Sequence, residues 1–196
     1  KGLELTLRGN GEGFALSASL YQSWFGNFIY ELPNGETIDG LPLFQFQQNK
    51  ARHYGAEFEA SLRLGTIGAF TLNLDSVGDV SRATISAPNG KLAAPRIPAL
   101  RLLGGLEAQS DMLDARLETE WVDGQTRIAP FETATPSYTL VNASLNWRPW
   151  GKDRDVSLLV SANNIFDVVS RRHASFLKDY APLSGSDVRM TLRFGF

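Results

Sequence analysis

The sequence predicts an all-β protein, an antiparallel transmembrane β-barrel. Three observations lead to this prediction. Apolar and polar side chains alternate with a period of two in nine separate segments, the apolar positions carry almost no charge, and the connections alternate between short and long. Most segments approach the roughly 9–11 residues that a tilted strand needs to cross a bilayer. The pattern therefore favours membrane strands over one face of a water-soluble sandwich.

The first five segments each divide into an apolar and a polar set. Lipid on one side and a wet lumen on the other require this division, because successive side chains of a strand point to opposite faces. The predicted lipid-facing sets are Leu3, Leu5 and Leu7; Phe14, Leu16, Ala18 and Leu20; Tyr54, Ala56, Phe58, Ala60 and Leu62; Phe70, Leu72 and Leu74; and Leu100, Leu102, Leu106 and Ala108.

The last four segments continue the pattern, and in the ninth Arg189 and Arg193 take the lumenal phase. The predicted lipid-facing sets are Leu113, Ala115, Leu117, Thr119 and Trp121; Val141, Ala143, Leu145 and Trp147; Val156, Leu158, Val160 and Ala162; and Val188, Met190, Leu192, Phe194 and Phe196.

The connections are predicted to sort by length onto two sides. Short turns on one side of the membrane and long loops on the other are typical of an outer-membrane barrel. The predicted short connections are 9–13, 65–66, 110–112 and 149–154, and the long ones are 31–50, 76–98, 128–137 and 164–184.

Composition limits the function classes. With 19 basic and 21 acidic residues the net charge is −2, so no global attraction to nucleic acid is expected. No apolar run approaches the roughly 18 residues of a membrane helix, and cysteine is absent. The alternation described above therefore implies that the chain crosses the bilayer by strands and not by a helix.

Five segments follow one another along nearly the whole chain, namely 24–30, 54–59, 138–144, 163–167 and 173–185. In this order, and followed by a terminal segment that carries Phe194 and Phe196, they resemble the TonB-dependent outer-membrane receptors. The segment 163–167 is similar to the exit of that family's penultimate strand, and 173–185 resembles the last extracellular loop of a zinc- and haem-uptake subgroup. The terminal segment resembles the signal that the barrel-assembly machinery recognises.

The resemblance implies a receptor rather than an enzyme, located in the bacterial outer membrane. It implies energised import of a scarce metal or metal complex, with zinc, haem or a ferric siderophore as cargo and no resident cofactor. The implied partners are outer-membrane lipid, the assembly machinery, an N-terminal plug, the remaining barrel strands, and the TonB complex reached through that plug.

Two kinds of candidate site residue follow. His173 and Asp179 could supply two metal ligands from one loop, and His53 could supply another, since imidazole and carboxylate suit divalent metals; a solvated loop histidine is the alternative. Charged residues of the polar phase are expected to face the lumen and pack against a plug. They are Glu57, Glu59, Arg63, Arg101, Glu107, Arg116, Glu118 and Glu120.

Two other function classes stay open at this point. An outer-membrane hydrolase would place His173 beside Asp167 or Asp179 at the rim to activate a water molecule. A soluble lipocalin-like binding barrel would have the opposite facing, with an apolar lumen and a polar exterior. Detergent dependence would separate this last class from a membrane barrel.

Residues 1–196 are expected to form the C-terminal portion of a larger barrel. Nine up-and-down strands would close only through a parallel seam, whereas bacterial single-chain barrels have even strand numbers and antiparallel pairing. If an architecture of about 22 strands applies, an N-terminal plug and about thirteen earlier strands lie outside these residues.

The facing of the ninth segment is testable with a pair of variants. Leu192→Arg is expected to cost about 2–4 kcal/mol of unfolding free energy near the bilayer midplane, because it places a cation in hydrocarbon. Thr191→Arg, one residue away on the lumenal side, should cost far less. Reversible unfolding from lipid vesicles measures both, and a reversed order would mean that the register is shifted by one residue.

Overall fold

The computed structural model describes residues 1–195, so the assembly role predicted for Phe196 lies outside the described residues. Among those residues no helix is long and apolar enough to cross a membrane. The described chain forms one antiparallel sheet. Its strands are β1 (Gly2–Gly11), β2 (Phe14–Ile38), β3 (Leu41–Ile67), β4 (Phe70–Ala87), β5 (Gly90–Ala93), β6 (Arg101–Gln109), β7 (Leu113–Val122), β8 (Tyr138–Trp147), β9 (Val156–Asn163) and β10 (Asp187–Phe194).

The order of strands in the sheet follows the chain. Neighbours run β1-β2-β3-β4-β6-β7-β8-β9-β10, and the short β5 pairs only with the outer part of β4. All nine segments predicted from alternation are confirmed as strands in this order. Strand β5 was missed, because four residues are too few to show a period.

The register confirms that the predicted apolar sets share one face. One row of directly opposed residues crosses the sheet from β2 to β10, and every member is apolar. The row consists of Phe14, Leu62, Leu74, Leu106, Leu117, Ala143, Ala162 and Val188.

The polar set occupies the other face. Arg189 lies opposite Ser161, and Arg193 opposite Ser157, as the predicted facing requires. Arg193 also lines a cleft of about 340 Å³ with Glu107 and Arg116. A lipocalin-like barrel would have the opposite facing, with the apolar set towards its lumen.

The predicted connection 31–50 is largely strand. Strands β2 and β3 continue past the membrane-spanning part and turn at residues 39–40, with irregularities between Phe25 and Phe28 and between Pro33 and Thr37. Outside hydrocarbon neither face must be apolar, so the alternation that marks a membrane strand weakens there. The predicted connection 76–98 is likewise shortened, because β4 runs to Ala87 and β5 follows.

A small core lies where these extensions meet the long connections. Its buried side chains are Tyr30, Ala51, Ala83, Ile85 and Ala94, with Phe28, Leu32, Leu92 and Ile97 packed around them. The extensions therefore have an apolar interior of their own.

One short turn lies three residues later than predicted. The β3–β4 turn falls at 68–69, because the β3–β4 register shifts between Arg63 and Gly65. Gly68 has a φ of 58°, in the left-handed region that favours glycine. The other three short connections fall between the strands where the sequence placed them.

Across residues 1–195, β1 and β10 stand at opposite ends of the strand order and are not paired with each other. The earlier strands and the plug therefore stay a prediction.

A glycine on the lipid-facing surface makes room for two large neighbours. Gly78 of β4 lies directly opposite Phe58 of β3 and Leu102 of β6. A Cβ built on Gly78 would collide with the Phe58 ring and lie 2.9 Å from Leu102 Cδ2. The two side chains close over the bare backbone, so Gly78 is buried although its face meets lipid.

Two glycine variants on this face test the packing. Gly78→Ala should lower the free energy of unfolding by about 1–3 kcal/mol, because Phe58 and Leu102 must move apart. Gly104→Ala is the matched control, since a Cβ there would meet nothing within 4 Å, and it should change stability by at most about 0.5 kcal/mol. Urea unfolding from vesicles measures both, and equal losses would contradict the close packing at Gly78.

Candidate functional site

The polar face carries an organised set of ion pairs. Arg116 of β7 makes a two-pronged contact with Asp75 of β4, at 2.6 and 2.9 Å, and its Nη2 also donates to Glu118 at 2.9 Å. Arg101 Nε donates to Asp79 at 2.8 Å, and its Nη1 lies 3.7 Å from Glu120. Four of the eight lumenal residues predicted from the sequence, Arg101, Arg116, Glu118 and Glu120, are thus members of ion pairs.

A glycine permits the contact between Arg116 and Asp75, which spans an intervening strand. Asp75 and Arg116 belong to strands separated by β6, and Gly105 of β6 lies directly opposite Asp75. A Cβ on Gly105 would collide with the Arg116 guanidinium. Arg116 therefore reaches Asp75 by crossing the backbone at a position that carries no side chain. The planar guanidinium can then hold two carboxylates at once.

The other four predicted lumenal residues make no ion pair within residues 1–195. Among the described residues, none of the nine ion pairs involves Glu57, Glu59, Arg63 or Glu107. The register still places them on the polar face, Glu57 opposite Asp79 and Glu107 opposite Arg116. They remain available to water or to a protein segment in the lumen.

A further ion pair lies at the short-turn side and was not predicted. Arg148 contacts both oxygens of Asp114 at 2.7 and 2.6 Å, and donates to the carbonyl oxygens of Ser110 and Asp111. It joins the β6–β7 turn to the β8–β9 turn. Nothing in the sequence around Arg148 indicated this contact.

The long connections form a buried polar cluster, which we call the loop cluster and define as Glu132, Thr135, His173 and Lys178. The Thr135 hydroxyl lies 3.1 Å from His173 Nδ1, and Lys178 Nζ lies 3.4 Å from the same atom. Glu132 Oε1 is 3.9 Å from both His173 Nε2 and Lys178 Nζ. All four side chains are almost fully buried. The cluster joins the β7–β8 connection to the β9–β10 connection.

Arg96 ties two more elements to the loop cluster. Its backbone N donates to Glu132 at 2.8 Å, and its Nη1 donates to Glu31 of β2 at 2.6 Å. Its guanidinium lies 4.0 Å from the centre of the Phe176 ring. Arg96 also has a φ of 57°, a conformation uncommon for a residue with a side chain. Several contacts from different elements hold it there.

The predicted metal ligands are not brought together. His173 belongs to the loop cluster, whereas Asp179 Oδ1 accepts a hydrogen bond of 2.5 Å from Thr133. His53 lies on β3 with its ring 5.3 Å from Tyr21. Within residues 1–195 no group of three or more His, Cys, Asp or Glu side chains is placed to hold a metal ion. Metal binding by these residues stays a prediction.

The hydrolase alternative gains no support from the loops. Asp167 Oδ1 accepts a hydrogen bond from the Ser186 backbone N at 2.9 Å, which fixes the β9–β10 connection. The Thr133 contact occupies Asp179 in the same way. Both carboxylates thus hold loop structure.

A cavity lies where the loop cluster meets the polar face. It has a volume of about 260 Å³, and its lining includes Arg101, Glu120, Tyr138, Arg172 and His173. Arg101 and Glu120 belong to the strand network, and His173 belongs to the loop cluster. The cavity therefore joins the two parts of the candidate site.

Sequence reasoning found His173 and missed its partners. Glu132, Thr135, Lys178 and Arg96 lie on connections without periodicity. Their contacts span 36 residues or more for the Arg96–Glu132 and Thr135–His173 pairs. No local spacing in the sequence signals them.

The fold and the site define an integral β-barrel protein with a charged interior and a roof of long loops. The chain belongs to the TonB dependent receptor-like β-barrel family, whose model matches residues 1–165.

Solved structures of similar fold agree with the family. The copper transporter OprC superposes with a TM-score of 0.86 at 21% identity, over 100% of this chain and 31% of its own. The FrpB iron transporter from Neisseria meningitidis (F5-1 variant) gives 0.74 at 17% identity, over 98% and 31%. Its F3-3 variant gives 0.72 at 17%, over 98% and 30%. The chain spans about a third of the length of these proteins.

Acidification should loosen the loop cluster. Burial lowers the pKa of His173 from its ordinary value of 6.5, Lys178 lowers it further, and Glu132 and Asp179 oppose them in part. The neutral ring is thus favoured in the folded loops. Their stability is full above about pH 6.5 and falls as the pH drops towards the lowered value, because the unfolded loop then binds more protons.

Hydrogen exchange of residues 170–180, corrected for intrinsic rates, should show less protection at pH 5.5 than at pH 7.5. His173→Gln should remove this pH dependence, and His53→Gln should keep it. A pH dependence that survives in the His173 variant would assign the effect to another group.

Proposed function

We propose that the complete protein is an outer-membrane receptor that imports a scarce metal or metal complex with energy from the TonB system. Family members are outer-membrane β-barrels, which supports the same location for this chain. The related folds include proteins described as copper and iron transporters, which supports metal as cargo. We keep zinc, haem and a ferric siderophore as the candidate cargoes, and propose no enzymatic activity.

The observation that carries the proposal is the charged polar face under a roof of loops. In a small barrel filled by its own side chains, carboxylates such as Glu57 and Glu59, which make no ion pair among the described residues, would be buried on the inner wall without a partner. In a wide barrel these groups can meet water or hydrogen-bond a plug. The cavity beside His173 lies between that wall and the loops. A solute entering through the loops would meet it before the deeper wall.

The proposed partners follow from the same faces. Glu57, Glu59, Arg63 and Glu107 would meet a plug in the lumen, and the TonB complex would act through that plug. The apolar face, with Leu192 and Phe194 exposed on β10, would meet lipid. The last strand, β10, which ends at Phe194, would be presented to the barrel-assembly machinery, and Phe196 stays part of the predicted signal.

The proposed metal ligands are His173, Asp179 and His53. His173 and Asp179 now serve the contact between two connections, so binding a metal would require them to exchange Thr135 and Thr133 for the ion. That exchange would move the β9–β10 connection away from the β7–β8 connection. Metal capture and loop opening would then be coupled.

Calorimetry on the full-length receptor tests the metal site. His173→Ala with Asp179→Ala should weaken zinc binding at least about tenfold, since two of the few available ligands are lost. Asp153→Ala, an exposed acid on a short connection, is the control. Unchanged zinc affinity in the double variant would exclude these ligands. Uptake of the same metal by cells, with and without TonB, tests the transport function independently.

A further inference from the structure

Four cations gather on the lipid-facing side of the sheet. Arg52 lies opposite Thr84 and Lys50 opposite Ser86, while Arg82 lies opposite Tyr54 and Lys91 opposite Ser86. Opposed residues share a face, so all four project from the same face as Ala56 and Val80. All four are exposed. We call these residues, Lys50, Arg52, Arg82 and Lys91, the basic patch.

The basic patch is compact. Arg52 and Arg82 are diagonal neighbours on adjacent strands, about 7–8 Å apart by ordinary sheet geometry. Lys50 and Lys91 flank Ser86 of β4 from either side, which separates their backbones by about 10 Å. One multiply charged group can therefore contact several of these cations together.

No carboxylate of the described residues neutralises the basic patch. None of the nine ion pairs within 4.0 Å includes any of its members. The Arg52 guanidinium instead lies over the Tyr54 ring, 4.9 Å from its centre. On a chain with a net charge of −2 this is a local excess of positive charge.

The patch lies at one edge of the apolar band. On β3 the lipid-facing residues from Tyr54 to Leu62 are apolar and span about the length of a tilted membrane strand. Arg52 and Lys50 follow at the end that bears the long connections. Trp24, opposite Arg52, is exposed there. Tyr54 and Trp24 are the residue types that favour the membrane interface, so the cations lie at headgroup level.

An apolar groove runs from the patch into the band. Its volume is about 410 Å³, and Leu5, Leu7, Leu20, Ala56, Phe58 and Val80 line it. Ala56 and Val80 are the next residues on this face below Tyr54 and Arg82. Small side chains at Ala18 and Ala56 leave the depression between Leu20 and Phe58. The groove therefore begins where the basic patch ends.

We propose that the basic patch and the groove together bind one phosphorylated, acylated lipid of the leaflet on the long-loop side. Its phosphates would contact Arg52, Arg82, Lys50 and Lys91, and an acyl chain would lie in the groove beside Ala56. Guanidinium groups suit phosphate because they present paired donors. The adjoining groove favours a lipid over a free phosphate or an acidic protein, neither of which would fill it.

The test uses the full-length receptor in phosphatidylcholine nanodiscs. Diphosphorylated lipopolysaccharide, its dephosphorylated form and inorganic phosphate are titrated separately, and bound lipid is counted by native mass spectrometry. Arg52→Gln with Arg82→Gln should weaken binding of the phosphorylated lipid about 30-fold, roughly fivefold for each cation removed near a charged headgroup. Arg52→Lys with Arg82→Lys keeps both charges but not the paired donors, so this variant should bind the lipid more tightly than the glutamine variant. It also guards against a folding defect.

Two controls isolate the two halves of the site. Arg8→Gln with Lys152→Gln removes two exposed cations outside the patch and should leave binding unchanged. Ala56→Leu fills the groove and should weaken binding of the lipid without adding or removing charge.

Equal affinity in the Arg52/Arg82 glutamine variant and the unsubstituted receptor would overturn the proposal. Full competition by inorganic phosphate, or equal binding of the dephosphorylated lipid, would overturn it too. The proposal requires a membrane location but no particular cargo, so metal uptake by the same variants reports on the proposed function separately.

Discussion

Hydrocarbon offers a peptide group no hydrogen-bond partner, and most other features of this chain depend on that constraint. Every backbone N–H and C=O inside the bilayer must be bonded within the protein, which for strands means a continuous antiparallel ladder. The ladder makes side chains alternate between two faces, so one face meets lipid and the other does not. The unbroken apolar row from Phe14 to Val188 is the result of this requirement across eight strands.

The inner face is organised by charge and by the absence of side chains. Arg116 reaches a carboxylate two strands away because Gly105 leaves its path open. On the outer face Gly78 leaves room for Phe58 and Leu102 of the two adjacent strands to close over its backbone. In both places a residue with no side chain allows long side chains of neighbouring strands to lie over its backbone, so side chains as well as backbone hydrogen bonds connect the strands.

The nine membrane strands and their facing followed from the sequence because period two is a local signal repeated many times. The placement of Glu57 and Arg116 on the polar face followed from the same signal. The ion-pair partners did not, because alternation assigns a face but not a partner across it. The loop cluster was out of reach for a different reason: Glu132 and His173 meet only after two connections have folded together, and neither connection has a periodic pattern. The lengths of β2 and β3 were underestimated because, outside the bilayer, neither face of a strand must be apolar, and the alternation that marks a strand is therefore weaker there.

The lengths of the strands differ greatly around the sheet. Strands β2 and β3 have 25 and 27 residues, whereas β9 and β10 have eight each. If about ten residues cross the bilayer, the remaining fifteen or so of β2, at about 3.3 Å each, extend roughly 35 Å above it when tilted by 45°. Over the described residues the strands thus rise far above the apolar band at β2 and β3 and end close to it at β9 and β10. At that lower end the β7–β8 and β9–β10 connections fill the space beside the taller strands, and they are held there by side-chain contacts such as that between Thr135 and His173 rather than by a backbone ladder.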